Sequence, residues 1–356
     1  MSSNLKGSGW RGVLHATLAA ALFGASTPLA KALLPQVSPM LLAGLLYLGS
    51  GLGLAAYTGL RLRFTSGARE AALTRHDAPW LAGAIFAGGL VGPLLLMWGL
   101  QRTSASTASL LLNLEGVFTA LLAWFVFREN FDRRIAWGMA FITAGGLCLS
   151  WAGRPDFGVP WGALAIAGAC LAWAIDNNLT RKVAAGDPVQ IAMLKGLCAG
   201  SVNTAVAVSL GAKLPSFTTF LAVGAVGFLG YGVSLTLFVL ALRHIGTART
   251  GAYFSLAPFV GAFGAILFLG DPITVGLIAA AAFMAAGVWL HLTERHEHAH
   301  QHEPLEHEHL HSHDDHHQHA HRTDDPPGEP HSHGHRHEPL VHTHPHYPDL
   351  HHRHGH

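Results

Sequence analysis

Ten stretches of about twenty apolar residues decide what this chain can become. They cover residues 12–34, 38–59, 79–100, 104–127, 134–152, 159–180, 188–210, 218–242, 248–269 and 273–293. A bilayer core is crossed by about 20 residues of helix. Within it, only helices and closed barrels satisfy their own backbone groups. Runs this long and this closely spaced predict an all-α chain of ten membrane-spanning helices. The Gly and Ala content of these runs suits close helix packing in lipid. The first run is long enough to span and has no small-residue cleavage site after it, so it reads as a retained helix.

Basic residues in the connections orient the segments. With a cytoplasmic N-terminus, the inner loops receive Lys6, Arg11, Arg61, Arg63, Arg69, Arg75, Arg128, Arg133, Arg134, Arg181, Lys182, Arg243, Arg249 and Arg295. The outer loops receive Lys31, Arg102, Arg154 and Lys213. Cytoplasmic loops carry the excess of Lys and Arg, so both termini are expected in the cytoplasm of a multi-pass inner-membrane protein.

The chain also repeats. Leu114-Glu115-Gly116-Val117-Phe118 aligns with Leu256-Ala257-Pro258-Phe259-Val260, and Ser104–Ser109 aligns with Gly246–Gly251. Glu129 and Asp271 keep the same offset of 142, while Pro39 and Pro188 are offset by 149. Two five-helix halves follow, 12–152 and 159–293. An odd number of spans per half makes them inverted, a recurring transporter architecture with its site near the midplane.

Phe23-Gly24-x-x-x-Pro28-x-x-Lys31, Thr103-Ser-Ala-Ser-Thr-Ala-Ser109, Asn113-Leu-Glu115 and Glu129 resemble the EamA family of the drug/metabolite transporter superfamily. The resemblance covers residues 12–293 and implies a ten-helix inner-membrane exporter of small metabolites. The family's Pro after the fourth-helix Glu is replaced by Gly116 in the first half and kept as Pro258 in the second. The His-rich C-terminus also resembles a smaller nickel- and cobalt-efflux group of the superfamily.

Ionisable groups inside spans are costly and mark cavities or partners. Glu115 is the leading candidate to take a divalent cation or a proton; the alternative is a structural ion pair with Lys195. Asp176 either lines the inner mouth or caps its helix, beside Asn177. Ser106, Ser109 and Asn113 share one helix face by spacing, as a cavity wall or as packing residues. His15 and Ser26 are three turns apart and point the same way, so His15 is either an interfacial residue or a ligand. Trp173 and Tyr253 either stack on an organic substrate or face lipid and neighbouring helices.

Residues 296–356 differ in kind. They hold 23 of the 27 histidines, with 11 acids and three Arg, so the tail carries −8 with His neutral against +9 for residues 1–295. Neutral imidazole is the commonest ligand for borderline divalent metals. The clusters are His307, His309, His311, His313, His316, His317, His319 and His321; then His331, His333, His335 and His337; then His342, His344 and His346. Cysteine is absent from the tail, which leaves Ni²⁺, Co²⁺ or Zn²⁺ as the expected ions. Low apolar content and Pro326-Pro327-Gly328 predict a disordered segment.

The composition contains no phosphate-binding loop and no nucleophile–base constellation, so neither ATP-driven pumping nor an enzyme is expected, and no cofactor is required. The leading expectation is proton-coupled efflux of nickel or cobalt. The alternatives are a small-metabolite exporter whose tail buffers or senses metal, and a membrane-anchored metal store. Expected partners are the lipid bilayer, the cargo, coupling protons and a second copy of the chain as a homodimer; nucleic acid is not among them.

Overall fold

A computed structural model describes residues 2–64, 73–127, 133–151, 160–180, 182–183, 186–292, 297–301, 306–311, 331–336 and 341–345. Helices fill the membrane domain. They are α1 (Ser2–Leu33), α2 (Pro39–Phe64), α3 (Ala78–Ala84), α4 (Gly92–Leu100), α5 (Ala105–Leu111), α6 (Leu114–Phe127), α7 (Arg133–Trp151), α8 (Trp161–Thr180), α9 (Pro188–Ser209), α10 (Phe217–Gly227), α11 (Ser234–Phe254), α12 (Ala257–Leu269) and α13 (Val275–Leu292). Among the described residues, six helical stretches are long and apolar enough to cross a membrane. Shorter apolar helices cover Ala136–Ser150, Ala257–Leu269 and Val275–Leu290.

Local chemistry sets the helix starts. Ser104, Asp187 and Ser216 accept backbone N–H bonds as N-caps of α5, α9 and α10. Pro188 and Pro258 sit in first turns, where a missing N–H costs nothing. Gly270 closes α12 at φ 69°, a left-handed cap that favours glycine.

Two rods contain a π-helical turn. Ile85–Val91 joins α3 to α4, and Phe228–Val233 joins α10 to α11. At the repeat offset of 142, Phe86, Gly88 and Val91 fall on Phe228, Gly230 and Val233. Two further helices break within one residue of repeat-matched positions, Leu112–Asn113 before α6 and Ser255–Leu256 before α12. The first break forms without a proline, because Asn113 donates its side-chain amide back to the Leu110 carbonyl at 3.0 Å. Ser106, Ser109 and Asn113 therefore do not lie along one continuous helix.

Glycines let helix backbones meet. A Cβ at Gly44, Gly51 or Gly200 would strike Thr204, Leu197 or Leu48, so α2 and α9 run antiparallel in close contact. Gly145 meets Ala280 and Met284, and Gly287 meets Gly138 and Ile142, so α7 and α13 are also antiparallel. The main core, including Leu41, Leu46, Met97, Ile166 and Met284, fills the space between these pairs.

Two regions differ from the sequence reading. The turn expected between residues 242 and 248 is helical, because α11 runs unbroken from Ser234 to Phe254. That stretch has no proline, and one interior glycine costs only about 1 kcal/mol. The tail is not featureless either. Strands β1 (Glu297–Gln301) and β4 (Val341–Pro345) pair antiparallel, as do β2 (Glu306–His311) and β3 (His331–Arg336). The alternating pattern has the period of a strand, although two-stranded pairs carry little stability of their own.

Candidate functional site

The polar groups inside the membrane domain gather where α6, α8, α9 and the first π turn meet. Asp176 and Lys195 form a buried ion pair there. Lys195 Nζ reaches the two carboxylate oxygens at 2.6 and 2.7 Å. Thr180 Oγ1 donates to Asp176 at 2.8 Å and also lies 3.3 Å from Lys195. Lys195 therefore pairs with Asp176, and the expected alternative of a Glu115–Lys195 pair is replaced. The two residues stand on α8 and α9, whose packing turns them towards each other. Asp176 lies one turn before the end of α8 and is 5 % exposed.

Glu115 takes a different partner. It occupies the first turn of α6, directly after the helix break. Asn177 on α8 donates its side-chain amide to the Glu115 carboxylate at 2.7 Å. Glu115 is half-buried and Asn177 exposed, while Asp176 next to it is buried. One turn of α8 thus presents a free-facing amide and a sequestered ion pair. The break itself is stitched to α8 by Cys170, whose thiol lies 3.6 Å from the Leu111 carbonyl. Cys148 and Cys198 are exposed free thiols, and only Cys170 among the three is buried.

The π turn supplies acceptors that a regular helix would keep for itself. The Gly88 carbonyl accepts from Tyr47 Oη at 2.7 Å and from Trp173 Nε1 at 2.9 Å. The Gly89 carbonyl accepts from Asn203 Nδ2 at 3.0 Å. Gly88 has to be glycine, because a Cβ would enter the Asp176 carboxylate. Aromatic rings continue the wall across the chain. Phe23 lies 6.2 Å from Trp173, 6.0 Å from Tyr231 and 5.4 Å from Phe254, and Tyr231 is 5.4 Å from Tyr47. Trp173 lies four residues before Asn177, on the same face of α8.

Other expected site residues lie elsewhere. Ser109 is fully buried where α5 meets α12, its hydroxyl against Gly261. Asn113 is buried and also points towards Met284 Sδ at 3.7 Å. His15 sits half-buried in the middle of α1. Among the tail ligands, His307, His309, His311, His331, His333, His335, His342 and His344 fall on strand backbones. His313, His316, His317, His319, His321, His337 and His346 lie outside the described residues, as does Glu129. Tyr47, Asn203 and the Gly88-Gly89 pair are site residues that sequence reasoning missed. A lone Asn and a Gly-Gly pair within apolar runs were the available signals.

The EamA-like transporter family matches residues 10–151 and again 160–293. An uncharacterized transporter of Methanothermobacter thermautotrophicus is 28% identical over 298 residues, covering 79% of this chain and 85% of the relative. The uncharacterized inner membrane transporter YedA of Escherichia coli K12 is 26% identical, covering 70% and 78%. A probable 4-amino-4-deoxy-L-arabinose-phosphoundecaprenol flippase subunit, ArnE, of Pseudomonas fluorescens is 42% identical over 84 residues, covering 24% of this chain and 73% of that protein. A crystal structure matches with a TM-score of 0.58 at 18% identity over 78% of this chain and 94% of its own, a likeness of fold.

Proposed function

We infer the function from one premise: this chain belongs to the EamA-like transporter family. It is a multi-pass membrane transporter and not an enzyme. Beyond that, we propose an inner-membrane secondary exporter of ten helices in two inverted halves, with both termini cytoplasmic. The antiparallel α2–α9 and α7–α13 pairs support the inversion, since each joins helices at corresponding places in the two halves. Broken helices at the centre of inverted repeats commonly hold the cargo.

Glu115 at the break carries this reading. It would alternate between a proton and the cargo, and that exchange would couple export to the proton gradient. Asn177 would orient its carboxylate. Asp176 has its oxygens engaged by Lys195 and Thr180, which leaves Glu115 as the carboxylate open to a cargo. Trp173 lies one turn away and Phe23 beyond it. One carboxylate beside aromatic rings suits a small organic metabolite with a cationic group, and this cargo reading ranks first. The ArnE relatives are named for a lipid-linked amino sugar, which also carries an amine.

Nickel or cobalt is the second cargo reading, favoured by the His-rich tail. The tail would then bind Ni²⁺, Co²⁺ or Zn²⁺ and deliver metal to the inner mouth. Everted vesicles under a proton gradient decide between them. The first reading expects uptake of an organic amine, loss with Glu115→Gln, and little change on deleting residues 296–356. Uptake of Ni²⁺ or Co²⁺ that weakens on tail deletion would replace it with the second. Transport indifferent to Glu115→Gln would sink both.

A further inference from the structure

Most hydrogen-bonding groups of the site are committed to partners within it. Tyr47 and Trp173 donate to the Gly88 carbonyl, Asn203 to the Gly89 carbonyl, and Lys195 and Thr180 to Asp176. Asn177 holds Glu115 itself. Thr119, one helical turn beyond Glu115 on α6, stands apart. The residue is half-buried, yet its hydroxyl oxygen is buried and has no hydrogen-bond partner among the described residues. A buried polar group left unsatisfied is uncommon and costly. Thr and Ser inside helices can satisfy themselves by donating to the carbonyl four residues back. Thr17, Thr58, Ser150 and Thr236 all do so here, at 2.8 to 3.0 Å. Thr119 does not, and the carbonyl it passes over is that of Glu115.

Two other buried hydroxyls share this condition among the described residues, Ser109 and Thr204, and packing accounts for both. Ser109 faces Gly261 and Thr204 faces Gly44, where a Cβ on the glycine would come within 2.6 and 2.5 Å of the hydroxyl oxygen. Those helix contacts leave no room for a ligand. The surroundings of Thr119 differ. Gly116, three residues before it, is exposed, and a Cβ there would meet nothing within 4 Å. Residues three and four apart share a helix face, so the open space at Gly116 lies beside Glu115 and Thr119. Side chains on a helix lean towards its N-terminus, which carries the Thr119 hydroxyl towards Glu115. Across from them on α8 stands Asn177, with Trp173 one turn before it.

We propose that Thr119 is a specificity-determining residue whose hydroxyl pairs with a hydroxyl that the cargo carries close to its cationic group. This deepens the organic-cation reading and rests on it: Glu115 pairs with the charge, and Thr119 with the hydroxyl one turn away. The cargo class is then hydroxylated organic cations, such as amino alcohols and amino sugars. A hydroxyl both donates and accepts, so Thr119 serves a cargo hydroxyl in either sense. A site with such a group discriminates against a cargo that lacks the partner, because the group stays unpaired when that cargo is bound. An apolar wall in the same place would not make the distinction.

Two quaternary cations of equal charge test this in everted vesicles under a proton gradient. Choline carries a hydroxyl, and ethyltrimethylammonium is the same cation without it. Neither is a weak base, so neither collapses the gradient by itself. Choline is expected to be transported with a kcat/KM about threefold to tenfold higher, the selectivity of one hydrogen bond. Thr119→Val is expected to remove that preference by lowering choline transport alone, and Thr119→Ser to keep it. The Thr119→Val protein should unfold at the same temperature or higher, since an unpaired hydroxyl is replaced by an apolar group of the same shape. Thr119→Ala supplies the same comparison if Thr119→Val does not fold. Equal transport of the two cations, or a preference that survives Thr119→Val, would overturn the inference and leave the organic-cation reading standing. So would an equal loss of both cations in Thr119→Val, which would assign the hydroxyl to Glu115 and not to the cargo. Transport of neither cation would overturn both.

Discussion

The two halves of the membrane domain share a backbone plan and divide the chemistry. Each has a π turn in its third segment at the offset of 142 and a break in its fourth within one residue of that offset. Yet Glu115 in the first half falls on Ala257 in the second, and Asp176 and Lys195 in the second half fall on Thr27 and Leu46 in the first. Duplication therefore explains the helix geometry, and later divergence explains the charges. The half-buried carboxylate of Glu115 stands on one half, and the Asp176–Lys195 ion pair stands on the other.

The largest effect tests that division directly. Glu115→Gln keeps the Asn177 contact possible but removes the charge, and it is expected to abolish proton-driven uptake in everted vesicles. Moving the carboxylate to the matching place, as Glu115→Gln with Ala257→Glu, should not restore it. Recovery in the double variant would mean that the halves are chemically interchangeable. Next comes the ion pair. Lys195→Met leaves a buried, unpaired Asp176 and should cost about 3–5 kcal/mol in thermal or denaturant unfolding. Adding Asp176→Leu should recover most of that loss, because both charges then leave the apolar interior together.

How far these features could be read in advance follows from their physics. Span length and apolarity are local properties, so the helical segments were legible. The repeat was legible in the paired motifs, and the family matches each half separately, at 10–151 and 160–293. The first helix break was not, because Asn113 makes it through its own side chain where a proline was the only sequence cue. The partner of Lys195 depended on how α8 and α9 are rotated against each other, and a sequence does not give that rotation. The π turns were hidden for a similar reason: an extra residue in a helix leaves no compositional mark except Gly88 and Gly230, where side chains of neighbouring helices come close.

Those two glycines give a smaller effect and a sharper comparison. Gly88→Ala pushes a methyl into the Asp176 carboxylate, and Gly230→Ala pushes one against Ser26 Cβ at 2.6 Å. Each is expected to destabilise by about 1–3 kcal/mol through overpacking. They should differ in context. In the Asp176→Leu, Lys195→Met background the cost of Gly88→Ala should change, because its neighbour has changed, while that of Gly230→Ala should not. Equal behaviour of the two glycines would erase the asymmetry between the π turns.

The smallest effect concerns a hydrogen bond that joins the two chemistries. Asn177 reaches from the second half to Glu115 in the first, and its neighbour Asp176 holds Lys195. Asn177→Ala should lower stability by about 0.5–1.5 kcal/mol, the usual net contribution of such a bond. The informative quantity is its coupling to the ion pair. If the last turn of α8 transmits changes between the two groups, the loss from Asn177→Ala together with Lys195→Met will depart from the sum by about 0.5 kcal/mol or more. A departure would mean that protonating Glu115 is felt at the ion pair, which gives the second half a part in coupling. Strict additivity would confine the ion pair to scaffolding and leave coupling to Glu115 alone.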